Sequence, residues 1–552
     1  MSSLQMEMAQ AIRAGLQRRA VTSCSRWAEK YRVMGTPYPG PWSFRHHPWL
    51  REMHDRKAEI KVGQKGAQLG FTEWALNETF FALDVLKLDC LYVLPAQVPD
   101  AHDFSNARFG TALKLSPYLE RLFTEVNNIG HKKAGNSNLY IRGSRAENSL
   151  KSIPTAMIVL DEVDEMAKNS IKLAWERAAG QNQRRILMLS TPTFPNEGIN
   201  RYYNDSTMEH FMFRCPCCSR FTELIFPDCL IITAEDVNDP KVEDSHLICK
   251  ECKGKLHHET KIDWLNDKTE WVKSFDQREI AGFHVNQLYS MANAVRPSEI
   301  AKDFLKSLRD PSEEQSFYNS KIGIPHIIQG AGVMDSDIDA CIKDYRKFTT
   351  RPNNALITMG IDVGRFFHYE IDQWFLPEGN TAAEDLNVCS FCKVISFGKV
   401  KNIEEVEQLM RQFGVSFAVI DAHPERRTAF QFASRFHGFV KMNFYGNGIN
   451  GKQINVHTDE EYTITVDRTS WLDLALGRFR NPKMLGLPRD VDMEYRSNIK
   501  APIRVYEKDK NGNNYAVYRE GPEPDHYAHA RTYAEIALQF AAGMLNPSDI
   551  IR

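Results

Sequence analysis

The chain has 552 residues, 42% of them apolar and 25% charged, with a formal net charge of −2. That length exceeds what one hydrophobic core organises, so two or more domains are expected, and the near-neutral balance excludes a histone-like coating protein while leaving room for local basic surfaces. No apolar run approaches the roughly 18–20 uncharged residues that a membrane-spanning helix needs, and the eleven cysteines read as thiols or metal ligands rather than a disulfide framework.

Residues 1–25 form an amphipathic helix candidate without the apolar core and small-residue cleavage site of a secretory signal, so a cytoplasmic location is expected. The stretch PYPGPWSFRHHPWLREMHD suits an ordered loop entering a helix. Strand-like runs follow at Leu88 to Leu94, Ala156 to Leu160 and Ile186 to Leu189, with helical stretches between them such as Thr72 to Leu83. This alternation predicts a parallel α/β sheet across residues 26–330, interrupted by a cysteine-bearing insertion at 211–258. Polar residues at 331–354, ending in TTRPNN, make a linker, and strands restart in a second domain at 355–552.

Two glycines and a terminal threonine in KGAQLGFT, which runs from Lys65 through Gly66, Gln68, Gly70 and Phe71 to Thr72, make a phosphate-binding loop candidate ahead of a helix. Phe71 stands where the usual motif has lysine, and Lys65 where it has the first glycine. The apolar run IVLDE delivers Asp161 and Glu162 at the end of a buried strand, where Asp161 suits a metal ion and Glu162 can polarise water. Ser190 and Thr191 end another strand on the same edge.

Cys215 and Cys218, then Cys249 and Cys252 after a thirty-residue gap, form two C-x2-C knuckles that suit a structural zinc with no open coordination position. Cys217 is a spare. Cys389 and Cys392 share the spacing but fall in a strand-like run and are read as core.

Hard divalent ions that cut a phosphodiester need clustered carboxylates. Asp362 ends the run LITMGID, Asp421 ends FAVID, and Asp525 opens a helical run, where it also reads as a simple N-cap. His526 and His529 on that helix suit metal or phosphate, although a surface-helix position is the plainer reading. Asp372 on the next strand is a reserve ligand.

The ordered combination resembles the large terminase subunits of the lambda-like group of tailed phages, from about residue 26 to the C-terminus. Further matches carry it: PGPW at Pro39 to Trp42, Pro48 to Met53, YVLP from Tyr92 with Phe104 after it, LYIRGS from Leu139, DEVD from Asp161, STPT from Ser190 and GFHVNQLY from Gly282. The resemblance implies a translocating ATPase followed by a ribonuclease H-like nuclease. It implies Lys65 as the phosphate-contacting lysine and the PGPW segment near the adenine. Thr72 and Asp161 would take the magnesium of ATP, and Arg142 or Arg145 would face a neighbouring subunit's γ-phosphate. Asp362, Asp421 and Asp525 are the implied Mg2+ or Mn2+ ligands. The implied partners are double-stranded DNA, a small terminase subunit, and the portal and procapsid, engaged by a homo-oligomeric ring in the host cytoplasm, with residues 1–25 as a small-subunit contact. A helicase or repair translocase fused to a nuclease, or a zinc-containing DNA scaffold with degenerate motifs, would share parts of this pattern.

Overall fold

The computed structural model describes residues 23–543 apart from 125, 146, 151–152, 182, 329–330, 349–355, 378–382, 447–452, 458–460, 509–513 and 520–522. Most of the N-terminal helix candidate and the TTRPNN stretch lie outside the described residues. The chain divides into two compact units, Met1–Ile327 and Ile328–Arg552. No helix among the described residues is long and apolar enough to cross a membrane.

The first unit is built on strands β1 (Ile60–Lys65), β2 (Cys90–Leu94), β3 (Ser137–Gly143), β4 (Met157–Asp161), β5 (Arg185–Ser190), β6 (Glu209–Arg214) and β7 (Ala281–Val285). They lie in the order β6-β7-β1-β5-β4-β2-β3 and pair in parallel throughout. Strand β4 is buried along its whole length, as parallel strands covered on both faces must be. Helix α1 (Phe71–Phe81) follows β1 directly and is buried almost all round. The main sheet reaches further than the sequence suggests: β6 contains Phe211, so the inserted module begins after the strand rather than at 211. That module has its own small antiparallel sheet of Leu230–Ile231, His246–Ile248 and Lys255–Leu256.

The second unit begins with a meander of β8 (Leu356–Val363), β9 (Phe367–Phe375) and β10 (Phe391–Val400). Helix α2 (Ile403–Phe413) then leads to β11 (Phe417–Asp421), parallel to β8, and helix α3 (Arg426–Arg435) to β12 (Val440–Tyr445), parallel to β11. Helix α2 starts at an Asn402 cap and stops at Gly414 with φ +58°, a left-handed position that favours glycine. A late helix, α4 (His526–Ala541), lies on β8 so closely that a Cβ at Gly360 would stand 1.8 Å from the Ala530 carbonyl oxygen.

Helix α4 also carries buried charge. Arg478 grips Glu535 with two hydrogen bonds of 2.7 and 2.6 Å, and Arg531 pairs with Glu370 and stands 3.7 Å from Asp372. Removing one partner of such a pair costs roughly 3–5 kcal/mol, because the survivor is left uncompensated. Asp372 is therefore a core residue and not a reserve metal ligand: it is fully buried, and burial first, then Glu370, raises its carboxyl well above the usual range. Cys389 and Cys392 do not share a strand. Cys389 ends the helix Ala383–Cys389 and is exposed, whereas Cys392 is buried in β10.

Candidate active sites

In the first unit β1, β5 and β4 are neighbours, so Lys65, Ser190 and the Asp161–Glu162 pair end side by side on one edge, the carboxyl edge where α/β sheets bind ligands. Between β1 and α1 the loop turns through Gln68 (φ 60°) and Gly70 (φ 81°). A Cβ at Gly66 would meet the Lys321 carbonyl oxygen at 2.8 Å, so glycine is required there for close approach. The aromatic segment supports the loop: Trp49 Nε1 donates to the Leu69 carbonyl at 3.0 Å, and the His47 ring lies against Gly70. Gln287 Nε2 donates to the Ala67 carbonyl at 2.9 Å, which ties the GFHVNQLY stretch to the same turn. Phe71 turns its ring into the core against Gly63 and Trp74 and is 1% exposed, so it offers the loop backbone and no cation.

Lys65 Nζ donates to Glu162 Oε1 at 2.9 Å, and Ser190 Oγ donates to Oε2 at 3.3 Å. Glu162 adopts a left-handed backbone, φ 63° and ψ 58°, a strained state for a residue with a Cβ that is commonest at functional turns. Asp161 accepts from Tyr92 Oη at 2.6 Å through Oδ2, while its buried Oδ1 has no hydrogen-bond partner, an acceptor that fits a bound cation. Burial, then the charge of Glu162, raises the Asp161 carboxyl to about 6. Asp164 accepts from the backbone N–H groups of Thr193 and Ile199, both at 2.7 Å, and so fastens the loop after β5 to the turn after β4. Lys65 and Glu162 border a cleft of about 410 Å³ that Gln68, Gly70, Thr72 and Arg108 also line; Asp161, Asp164 and Ser190 lie behind its wall. Arg108, 3.8 Å from Glu73, had no motif to announce it. Arg142 is half-buried at the end of β3, donating to the backbone carbonyls of Gly130 and Ile141; Arg145 is exposed.

The Sγ atoms of Cys215, Cys218, Cys249 and Cys252 all lie within 4.8 Å of one another. The N–H groups of Cys217 and Gly254 donate to the Cys215 and Cys252 sulfurs at 3.3 and 3.4 Å, hydrogen bonds that favour the thiolate form. Cys217 stays outside the four, its Sγ on the Lys255 carbonyl.

In the second unit Asp362 near the end of β8 and Asp421 at the end of β11 lie on adjacent parallel strands. Burial raises the Asp421 carboxyl to about 6, with Asp362 adding to the effect. Asp525 stands at the N-cap of α4 without capping it; its carboxylate lies 3.2 Å from His529 Nε2 and 3.7 Å from Arg468. Burial pushes the Asp525 carboxyl up, but the His529 hydrogen bond and the His529 and Arg468 charges outweigh it and leave it below the usual range. Neither histidine is a plain surface position. His526 Nδ1 is 2.8 Å from Asp362 Oδ2, and His529 is buried with Nδ1 2.9 Å from Tyr445 Oη. His368, which no motif marked, pairs across the strands with Asp362, and burial lowers its imidazole to about 4.

Comparison with known proteins gives two adjoining family matches. Residues 36–271 match the ATPase domain of the phage terminase large subunit gpA, and residues 280–374 match the endonuclease domain of the same family. The second match takes in β7 of the first unit as well as β8 and most of β9. No curated protein matches the chain. Among solved structures, the large terminase of bacteriophage HK97 is 10% identical, with 95% of this chain and 99% of that chain covered and a TM-score of 0.46. The large terminase ATPase domain of Thermus phage P74-26 is 14% identical, with 50% of this chain and 91% of that chain covered and a TM-score of 0.30. The two family matches together take in more than half of the chain, which belongs to the phage terminase large subunits and carries their ATPase and endonuclease domains.

Proposed function

We propose a division of labour by residue for this packaging-motor subunit, which hydrolyses ATP and cuts DNA. Residues 26–327 act as the ATPase and 328–552 as the nuclease, because the helix Asp335–Cys341 of the expected 331–354 linker packs through Ile338 and Cys341 into the second unit's core. Lys65, Gly66, Gln68, Gly70 and Thr72 hold the triphosphate, and the Phe71 backbone continues the cradle. Thr72 and Asp161 hold Mg2+, and Glu162 orients the attacking water. The observation that carries this reading is the Lys65–Glu162 ion pair at 2.9 Å. An incoming γ-phosphate competes for the lysine and frees the glutamate to accept a hydrogen bond from water, so the base becomes available as substrate arrives. Arg142, at the end of β3, supplies charge to a neighbouring subunit's nucleotide, with Arg145 as the alternative.

Zn2+ held by Cys215, Cys218, Cys249 and Cys252 staples the inserted module, which has little core of its own. Asp362, Asp421 and Asp525 hold Mg2+ or Mn2+. Bound there, such ions supply a nucleophilic water and stabilise the leaving oxygen. Strands β8 and β11 keep two of these acids adjacent, and His529 and Arg468 orient the third. The position of Lys65 at the loop start supports the lambda-like group. The partners are double-stranded DNA, a small terminase subunit, and the portal and procapsid, met by a ring of identical subunits in the host cytoplasm.

The test is cleavage and ATP turnover measured on the same samples. Asp362→Ala lowers cleavage about 100-fold or more and spares turnover, and Glu162→Ala does the reverse, the scale expected when a ligand or an activating base is lost. If neither change matters, the residue assignments fail.

A further inference from the structure

The second unit gathers more nitrogen around Asp362 than phosphodiester cleavage by oxygen-bound ions calls for. Asp362 and His368 are directly opposed in the β8–β9 register, so both project from one face of the sheet. Helix α4 then brings His526 over the pair, its Nδ1 2.8 Å from Asp362 Oδ2. The two imidazole rings stack at 4.3 Å with 10° between their planes. One ligand atom from each of the three residues lies within 4.8 Å of the others, a set that includes neither Asp421 nor Asp525. His368 is 4% exposed, and its buried Nδ1 has no hydrogen-bond partner among the described residues. The Glu494 carboxylate, held by Lys399 at 2.6 Å, stands 4.0 Å from His368 Nε2, beyond direct hydrogen-bond reach, and adds negative charge to the surroundings of the cluster.

We propose that Asp362, His368 and His526 form a mixed imidazole–carboxylate position that takes a transition-metal ion such as Mn2+ in preference to Mg2+. This rests on the reading of Asp362 as a nuclease ligand and adds two ligands that the carboxylate pattern does not contain. Imidazole nitrogen is a softer donor than carboxylate or water oxygen: it suits first-row transition ions, whereas Mg2+ keeps oxygen and sheds its water reluctantly.

The experiment adds Mn2+ to the full chain and reads electron spin echo modulation from directly bonded nitrogen, with calorimetric titration of Mn2+ and Mg2+ alongside. The wild-type chain shows nitrogen modulation that Asp362→Ala abolishes. His368→Gln and His526→Gln each reduce it and weaken Mn2+ binding roughly tenfold or more, with a smaller change for Mg2+. His526 is about one-third exposed, so His526→Gln stands as the second variant should the buried His368→Gln fail to fold. Mn2+ that binds in an Asp362-dependent way without nitrogen modulation overturns the proposal and leaves the nuclease reading in place. Mn2+ binding that Asp362→Ala does not alter overturns both.

Discussion

At the edge of the first sheet Glu162 faces the ammonium of Lys65; at the edge of the second, Asp362 and Asp525 face the imidazoles of His526 and His529. On the proposed roles, each partner suits what its site would receive. A triphosphate is a polyanion, so a lysine that exchanges one anion for another keeps its charge and its use. Metal ions are cations, and an ammonium close to the acids would oppose them, whereas an imidazole can lose its proton and turn from counter-ion into ligand. Both sites otherwise share one construction, an acid at the end of a buried strand beside a second acid.

Removing the lysine is the hardest blow to this contrast. Lys65→Ala is expected to lower ATP turnover about 100- to 1000-fold, the scale seen when one fixed charge donor to a reacting oxyanion is lost, with cleavage unchanged in the parallel assay. Equal losses in both activities would show that the two sites are not separable in this way.

Acidity acts on both sites, because Asp161 and Asp421 are each raised to about 6, with burial the main cause. A cation needs the ionised form, so Mg2+ or Mn2+ binding weakens roughly tenfold for each pH unit below 6. Metal-free stability has the opposite slope. The folded state holds these protons up to about 6, whereas the unfolded chain releases them near 4. The stabilisation is therefore complete below about 4 and is lost as pH rises through about 6. Thermal melting against pH, with and without Mg2+, checks both slopes, and Asp421→Asn removes the second unit's share.

The smallest effects sharpen the comparison most. Tyr92 donates to Asp161 at 2.6 Å, and Tyr445 lies 2.9 Å from His529. Tyr92→Phe should weaken Mg2+-dependent ATP binding by about 1 kcal/mol, roughly fivefold, with no change in cleavage. Tyr445→Phe should have the complementary effect, read by Mn2+ titration.

Apolar runs located β4 and β5 at the first site and β8 and β11 at the second, because a buried parallel strand is apolar along its length and its first acid marks the edge; no such run marks β1, whose IKVGQK carries Lys61 and Gln64 before Lys65. What escaped was set by tertiary distance. Strands β6 and β7 join the same sheet from either side of the inserted module, so the apparent interruption at 211 is part of the fold. Alternation along β9 puts His368 and Asp372 on the same face but says nothing of depth: His368 lies opposite Asp362 at the edge, whereas Asp372 lies opposite Thr358 beneath α4, with Arg531. The strand-like run that takes in Cys389 and Cys392 holds only the second, because a helix ends at Cys389 and the strand begins at Phe391. Arg108 comes to the cleft from the helical turn Phe104–Phe109, distant in sequence from both Lys65 and Glu162, and no local pattern encodes that.

The approach of α4 to Gly360 gives the nuclease a tolerance in the engineer's sense. The plate that carries Asp362 and the rod that carries Asp525 and His526 are gauged by the absence of one methyl group, since a Cβ at 360 would fall 1.8 Å from the Ala530 carbonyl oxygen. A change there shims the rod off the plate, and on the proposed ligand set its first symptom is a misfit between ions and side chains while each of those side chains is still present.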